Sequence, residues 1–111
     1  MSDQMIEELK AIAHPLRLRI LEVLRAGEHN VGEIEEAADI GQPALSQQLG
    51  VLRKADLVET RKAAKLVYYR LNEEKLSQIA MLIDGLVPTG AEAPTLLRTP
   101  SPGAANFARL T

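Results

Sequence analysis

The spacing of apolar residues changes twice along this chain, and this change constrains the fold more than any other feature. Up to about residue 55, apolar residues recur every three to four positions, as they do in amphipathic helices. Two later runs, 57–61 and 66–71, are rich in β-branched and aromatic residues, which is typical of strands. From residue 73 the helical spacing returns. The pattern predicts a mainly α-helical fold with one small β-hairpin.

Proline and glycine divide the first part of the chain. A first helix over 2–13 should end at His14, because a proline disfavours helical backbone in the residue before it. Pro15 is then well placed as the first residue of a second helix, 15–26, since its missing N–H costs nothing there. Gly27 should end that helix.

A short helix and a longer one follow. Asn30 and Glu33 have the spacing of a capping box, which predicts a short acidic helix through Ala38. After a tight turn, a fourth helix is expected from Gln42 to about Ala55. The order of a short helix, a turn and a second helix is that of a helix-turn-helix.

The hairpin and the last helix complete the domain. No Asn-Gly pair lies between the two strand-like runs, so we expect a loop of about four residues, 62–65. Asn72 should cap a last helix over 73–87, and Pro88 should stop it. We therefore predict one domain over 1–87 and a flexible, Pro-rich tail over 88–111, which holds four of the six prolines.

The distribution of charge points to a nucleic-acid partner, although the net charge of −2 does not. Residues 1–40 carry four basic and nine acidic side chains, a balance of −5. Residues 41–71 carry six basic and two acidic side chains, a balance of +4. A phosphate backbone responds to such a local patch more than to the average charge.

Several classes of function find no support. Because the chain has no cysteine, it cannot form a disulfide, bind a metal through a thiolate or carry out thiol redox chemistry. No apolar run approaches the roughly 18 residues that cross a bilayer, and the first residues do not read as a signal peptide, so we expect a cytoplasmic protein without cofactor or metal. His14 and His29 are expected to have structural or solvent roles. No phosphate loop or nucleophile–base pair suggests an enzyme.

The candidate function lies in the helix-turn-helix and the hairpin. The second helix of such a motif places its first side chains in the major groove, where amides and hydroxyls reach base edges. A polar helix face or a basic hairpin is often only a solvated surface, but their succession favours double-stranded DNA as the partner. The predicted DNA-binding residues are Gln42, Pro43, Ser46, Gln47 and Arg53 of the helix and Arg61, Lys62 and Lys65 of the hairpin.

Three stretches resemble the ArsR (arsenical-resistance) family of winged helix-turn-helix repressors. They are LKAIAHPLRLRIL at 9–21, GQPALSQQLGVLRKADLV at 41–58 and RKAAKLVYYRL at 61–71. The resemblance implies a homodimeric repressor that reads an imperfect palindrome, with the first and last helices at the dimer interface. The predicted interface residues are Met5, Ile6, Leu9, Ile79, Leu82, Ile83 and Leu86.

The sequence of residues 41–71 is most similar to the redox- and sulfide-sensing branch of that family. The cysteines that this branch uses are absent here. The family's metal sites also use residue types that are missing, because residues 73–87 contain no histidine. We therefore expect a regulator without the usual thiol or metal sensor. Two alternatives stay open: a ligand-responsive regulator with an unidentified effector, and a winged helix used for protein–protein contact.

Overall fold

The computed structural model describes residues 3–88, which fall into two units, 3–79 and 80–88. Of the predicted tail, only Pro88 lies within the described residues. No helix of this part of the chain is long and apolar enough to span a membrane. The elements are α1 (Asp3–Ile12), α2 (Pro15–Arg25), β1 (His29–Asn30), α3 (Val31–Ala38), α4 (Ala44–Lys54), β2 (Val58–Ala63), β3 (Leu66–Leu71) and α5 (Glu73–Asp84).

The junction between α1 and α2 follows the prediction from His14 and Pro15. His14 has an extended backbone and is the N-cap of α2, while Pro15 is the first helical residue. The Nδ1 atom of His14 accepts a hydrogen bond from the N–H of Leu16 at 3.1 Å. The imidazole therefore satisfies one of the free N–H groups at the helix start, which is a structural role.

The capping box of α3 is confirmed. The N–H of Glu33 donates to Oδ1 of Asn30, and the N–H of Asn30 donates to Oε1 of Glu33, both at 2.9 Å. Asp39 ends the helix in the left-handed conformation, with φ of 56°, and its N–H bonds the carbonyl of Glu35. Ile40 is buried directly after this turn and anchors the chain between the two helices.

Helix α4 begins two residues later than predicted. The peptide between Gln42 and Pro43 is cis, Pro43 is the N-cap and Ala44 is the first helical residue. The steric rule that excludes His14 from a helix applies equally to Gln42, because each precedes a proline. The predicted start at Gln42 was therefore wrong.

The sheet has three strands in the order β1-β3-β2, one more than predicted. His29 pairs with Tyr69 and Asn30 with Tyr68, so His29 lies in a strand and not in a loop. A strand of two residues is too short to show a period of two in the sequence.

The hairpin loop is also shorter than predicted. Strands β2 and β3 pair from Val58 and Leu71 to Ala63 and Leu66, which leaves only Ala64 and Lys65 in the turn. Ala64 supplies a positive φ of 56° in place of the usual Gly or Asn. The predicted four-residue loop was therefore wrong, because the ladder continues through residues whose side chains show no strand preference.

The core of the first unit is aliphatic, as a chain with 3% aromatic residues requires. It also holds one buried carboxylate, Glu8, whose Oε2 lies 3.1 Å from Nζ of Lys75 and 3.1 Å from Nε2 of Gln4. Asn72 caps α5 as predicted, through a 3.2 Å bond from the N–H of Lys75. The buried apolar residues are Ala11, Ile20, Leu21, Leu24, Ile34, Ala38, Ile40, Leu45, Leu49, Leu52, Leu57, Val58 and Ile79.

The unit from Ala80 onward contains the end of α5. The helix ends at Asp84, three residues before the predicted end at residue 87. The N–H of Gly85 still bonds the carbonyl of Met81, but the N–H groups of Leu86 and Val87 bond carbonyls only three residues back. The last turn is therefore tightened before Pro88 is reached, and Pro88 is not what ends the helix.

Candidate DNA-binding surface

Helix α4 has one buried face and one exposed face, as a recognition helix must. Leu45, Leu49 and Leu52 are almost completely buried in the core, at the spacing i, i+4 and i+7. Ser46, Gln47, Gly50 and Arg53 are exposed, together with Gln42 and Pro43 just before the helix. The apolar face fixes the orientation of α4, so the polar face is presented to solvent.

Gln42 and Ser46 are brought together by the start of α4. Oε1 of Gln42 accepts hydrogen bonds from Oγ of Ser46 at 2.6 Å and from the N–H of Ser46 at 3.2 Å. Gln42 therefore caps the helix that follows it. Pairing of its amide with an adenine would need the same oxygen, so it would require these two bonds to break.

Gln47 differs from Gln42 in this respect. Its side chain is exposed, and within residues 3–88 it makes no hydrogen bond. Both its amide oxygen and its amide nitrogen are available, which is what a bidentate contact to adenine N6 and N7 requires. Of the two predicted glutamines, Gln47 is the one whose geometry suits base readout without rearrangement.

The wing, which is the hairpin of β2 and β3, carries its cations in two different environments. Lys62 lies one residue pair before the turn and Lys65 lies in the turn itself, and both are exposed. Arg53 on α4 is exposed as well. In the described part of the chain, none of these three forms an ion pair, so their charges are available to a phosphate backbone.

The exposed side chain of Arg61 is paired with a carboxylate of the same chain, that of Glu28. Its Nε and Nη2 atoms donate to the carboxylate of Glu28 at 2.8 and 2.7 Å, and its guanidinium lies 5.1 Å from the ring centre of Tyr68. The hydrogen bonds from Arg61 hold the pKa of Glu28 below its usual value. The Nε and Nη2 edge of Arg61 is therefore occupied by Glu28, so a bidentate contact of this edge with a phosphate requires Arg61 to leave Glu28, which the sequence analysis missed.

Two further arginines position the helix-turn-helix, and neither was predicted. The guanidinium of Arg17 donates to the carbonyl of Ala11 and, through Nη1, to Oε1 of Gln48 on α4 at 2.8 Å. Arg19 donates to the carbonyl of Ala38, at the end of α3, at 3.0 Å. The alternation of Leu and Arg in α2 is the only sequence signal for these contacts.

The predicted dimer residues differ in exposure. In the first unit, Ile6 is exposed, Met5 and Leu9 are half-buried, and Ile79 is only 3% exposed. Ile79 belongs to the core of its own chain, which corrects its assignment to an intersubunit surface. In the second unit, Leu82 is half-buried, and the exposed apolar residues are Met81, Ile83, Leu86 and Val87.

No metal site is formed by the part of the chain that the structure describes. Among residues 3–88, no three His, Asp or Glu side chains come together in a way that could hold an ion. His29 makes a short 2.6 Å contact with the carbonyl of Gly27, and His14 caps α2.

Comparison with known proteins agrees with this architecture. Residues 12–61 match the model of a helix-turn-helix domain. The chain is 52% identical over 71 residues to a biofilm growth-associated repressor of Xylella fastidiosa and spans 62% of that protein's length. It is 41% identical over 78 residues to the transcriptional activator HlyU of Vibrio cholerae, 70% of this chain and 72% of that one.

The fold is shared at the level of solved structures. HlyU from Vibrio cholerae superposes with a TM-score of 0.64 at 39% identity, covering 76% of this chain and 96% of that chain. Both the sequence match and the structural match extend beyond the helix-turn-helix itself. The chain belongs to the ArsR family of winged helix-turn-helix transcriptional regulators.

Proposed function

We propose that this protein is a sequence-specific, DNA-binding transcriptional repressor that acts as a homodimer on an imperfect palindrome. The observation that carries the proposal is the exposed polar face of α4, with Ser46 and Gln47 near the helix start and Arg53 further along. Within residues 3–88, the side chain of Gln47 makes no hydrogen bond and Arg53 forms no ion pair. Such a face can enter the major groove, while free lysines on the wing neutralise phosphates beside it. The similarity to a named repressor supports the direction of regulation.

Each group on this surface has a distinct task. Gln47 reads a base edge, and Ser46 with Gln42 and Pro43 sets the approach of the helix start. Arg53, Lys62 and Lys65 bind phosphates and add affinity without sequence preference. Arg61 adds a bidentate phosphate contact through Nε and Nη2 only after it leaves Glu28.

The proposed dimer explains the apolar residues that the chain leaves in water. Met81 and Leu86 are 71% and 72% exposed, which is unusual for large apolar side chains clustered on a short segment. A second copy of the chain would cover them and, by its symmetry, present two recognition helices to two half-sites. With no cysteine in the chain, control by a thiol is not part of this proposal.

Selection of bound sequences from random DNA, followed by affinity measurements on the enriched site, tests the function. Gln47→Ala should weaken binding to that site by about 1–3 kcal/mol and relax the preference at one base pair. Gln78→Ala, an exposed glutamine on α5, is the matched control and should bind like the wild type. No enriched motif, or an unchanged motif and affinity for Gln47→Ala, would contradict the proposed role of α4.

A further inference from the structure

A cavity of about 420 Å³ lies between α1 and α4, entirely within the unit that ends at Ile79. Its volume is in the range of small-molecule sites. Val51 and Lys54 follow Gln47 by one and two helical turns, so the cavity adjoins the base-reading face of α4 but does not include Gln47 itself. The lining comes from one face of α1 between Gln4 and Ala11, from Arg17 of α2, from Val51 and Lys54 of α4, and from Ala55 directly after that helix.

The charges around this cavity favour an anion. Three cations line it, Lys10, Arg17 and Lys54, against one carboxylate, Glu7. Within residues 3–88, Lys54 has no ion pair, and the pair of Lys10 with Glu7 is long, at 3.5 Å, and largely exposed to water. Such an exposed pair contributes little and is easily exchanged for a stronger partner.

The remaining lining is apolar. Ala11 is buried, Ala55 is half-buried, and Val51 is 39% exposed although it is a β-branched apolar residue on a helix. An aliphatic body of a few carbons would cover Val51 and remove this surface from water, which favours binding of an apolar group. An anion with an apolar body therefore fits the lining better than a bare inorganic ion.

Arg17 connects the cavity to the recognition helix. Its Nη1 atom donates to Oε1 of Gln48 at 2.8 Å, whereas Nη2 reaches the carbonyl of Lys10 only at 3.5 Å. The carbonyl oxygens at the end of α1 are thus covered by a guanidinium, so they do not repel an anion. A carboxylate that takes both terminal nitrogens in a bidentate contact would take Nη1 from Gln48.

We propose that this cavity binds a small carboxylate with a short apolar body, and that the bound carboxylate engages Lys54 and draws Arg17 away from Gln48. The hydrogen bond between Arg17 of α2 and Gln48 of α4 is then lost when the ligand binds. The effect on DNA rests on the proposed function, whereas binding of the carboxylate does not. The site makes this chain a regulator with an organic anion as its effector.

The binding test needs no DNA. Octanoate is titrated into the full chain and its binding is measured by calorimetry. Octanamide, which lacks the charge, and acetate, which lacks the apolar body, are the comparison ligands. We expect octanoate to bind roughly tenfold more tightly than either, since a charge-assisted contact and apolar burial both contribute. Equal binding of octanamide, or no binding of octanoate at millimolar concentration, overturns the site.

Two neighbouring residues of α4 supply matched variants. Lys54→Gln should lower the affinity for octanoate several-fold and leave that for octanamide unchanged, because only the charge contact is removed. Arg53→Gln removes the same charge one position away, outside the cavity lining, and should bind octanoate like the wild type. Equal losses in the two variants would show that octanoate responds only to overall charge and would overturn the site.

The link to DNA is measured separately on the selected DNA site. Saturating octanoate should lower DNA affinity at least about fivefold, in the range of ordinary allosteric coupling. Gln48→Ala should abolish most of that change, because Arg17 then has no contact with Gln48 to lose. Octanoate binding without any change in DNA affinity overturns the coupling. A chain that binds octanoate but no DNA refutes the proposed function and leaves the site standing.

Discussion

At the scale of residues, the contact between Glu28 and Arg61 has the clearest consequence for function. The two side chains are 33 positions apart, and their bidentate contact occupies the guanidinium that sequence reasoning assigned to DNA. A phosphate offers the same fork geometry as a carboxylate. Under the proposed function, Glu28 competes with a phosphate for the Nε and Nη2 edge of Arg61.

Replacing Glu28 tests this competition. In Glu28→Gln, Arg61 is released, so we expect DNA affinity to rise a few-fold and the logarithm of affinity to fall more steeply with salt, by about 0.9 for one additional phosphate contact. Glu59→Gln is the comparison variant, because it also removes one negative charge beside the wing. The carboxylate of Glu59 pairs with Arg70 at 3.1 Å and does not contact Arg61. Equal gains in both variants would mean that Arg61 has no special part in binding.

The same pair predicts a dependence of stability on pH. Because the folded pKa of Glu28 lies below the ordinary value of 4.5, the pair stabilises the fold at pH above that value. This contribution is lost as the pH falls through the lowered pKa and Glu28 becomes protonated. Chemical unfolding of wild type and Glu28→Gln should give stabilities that differ at pH 7 and converge in acid. A difference that persists in acid would show that Glu28 stabilises the fold by another route.

At the scale of elements, each helix start is determined by residues next to it in the sequence. His14 and Pro15 begin α2, and Asn30 with Glu33 begins α3, both through hydrogen bonds or dihedral limits within a few positions. The start of α4 depends on Gln42 in a different way, because its amide caps the helix from outside. The helix that we propose to read DNA thus begins beside a side chain, Gln42, that would have to exchange its bonds to Ser46 for a bond to a base.

The capping box of α3 gives a prediction for this scale. Asn30→Ala removes the acceptor for the N–H of Glu33, so the free energy of unfolding should fall by about 1 kcal/mol. Asn30→Asp keeps a side-chain oxygen at the same place and should stay near the wild type. Denaturant unfolding of the three proteins measures the difference. An Asn30→Ala protein as stable as the wild type would mean that water replaces the cap without cost.

At the scale of the whole molecule, the exposed apolar residues after Ile79 are the basis for predicting a dimer. Leu86→Asp places a charge on a side chain that is 72% exposed, so a single chain should tolerate the change. In a dimer the carboxylate would be buried, which is costly without a partner. We expect light scattering to give a monomer and DNA affinity for the palindrome to drop at least about tenfold, since one half-site is lost.

The control for this variant is Leu18→Asp, which adds the same charge at an apolar position of α2 that is 46% exposed and lies outside the predicted interface. It should remain dimeric and bind DNA as the wild type does. A wild-type chain that is monomeric at micromolar concentration and still binds the palindrome tightly would refute the dimer.

The sequence by itself determined the five helices, the two long strands and their order along the chain. These depend on local physics: proline sterics at positions 14–15, the capping box, and the apolar spacing of Leu45, Leu49 and Leu52. The similarity of residues 9–71 to the ArsR family predicted the family of this chain, and the comparisons confirm that prediction.

Tertiary structure decided which polar side chains are free to act. Gln42 and Gln47 look alike in the sequence, as do Arg61 and Lys62, yet Gln42 is bonded to Ser46 and Arg61 is bonded to Glu28. Arg17 reaches Gln48 across 31 positions, and β1 exists only because β3 lies beside it. A hydrogen bond forms with whatever group the fold brings within about 3 Å, and distance along the chain carries no information about that.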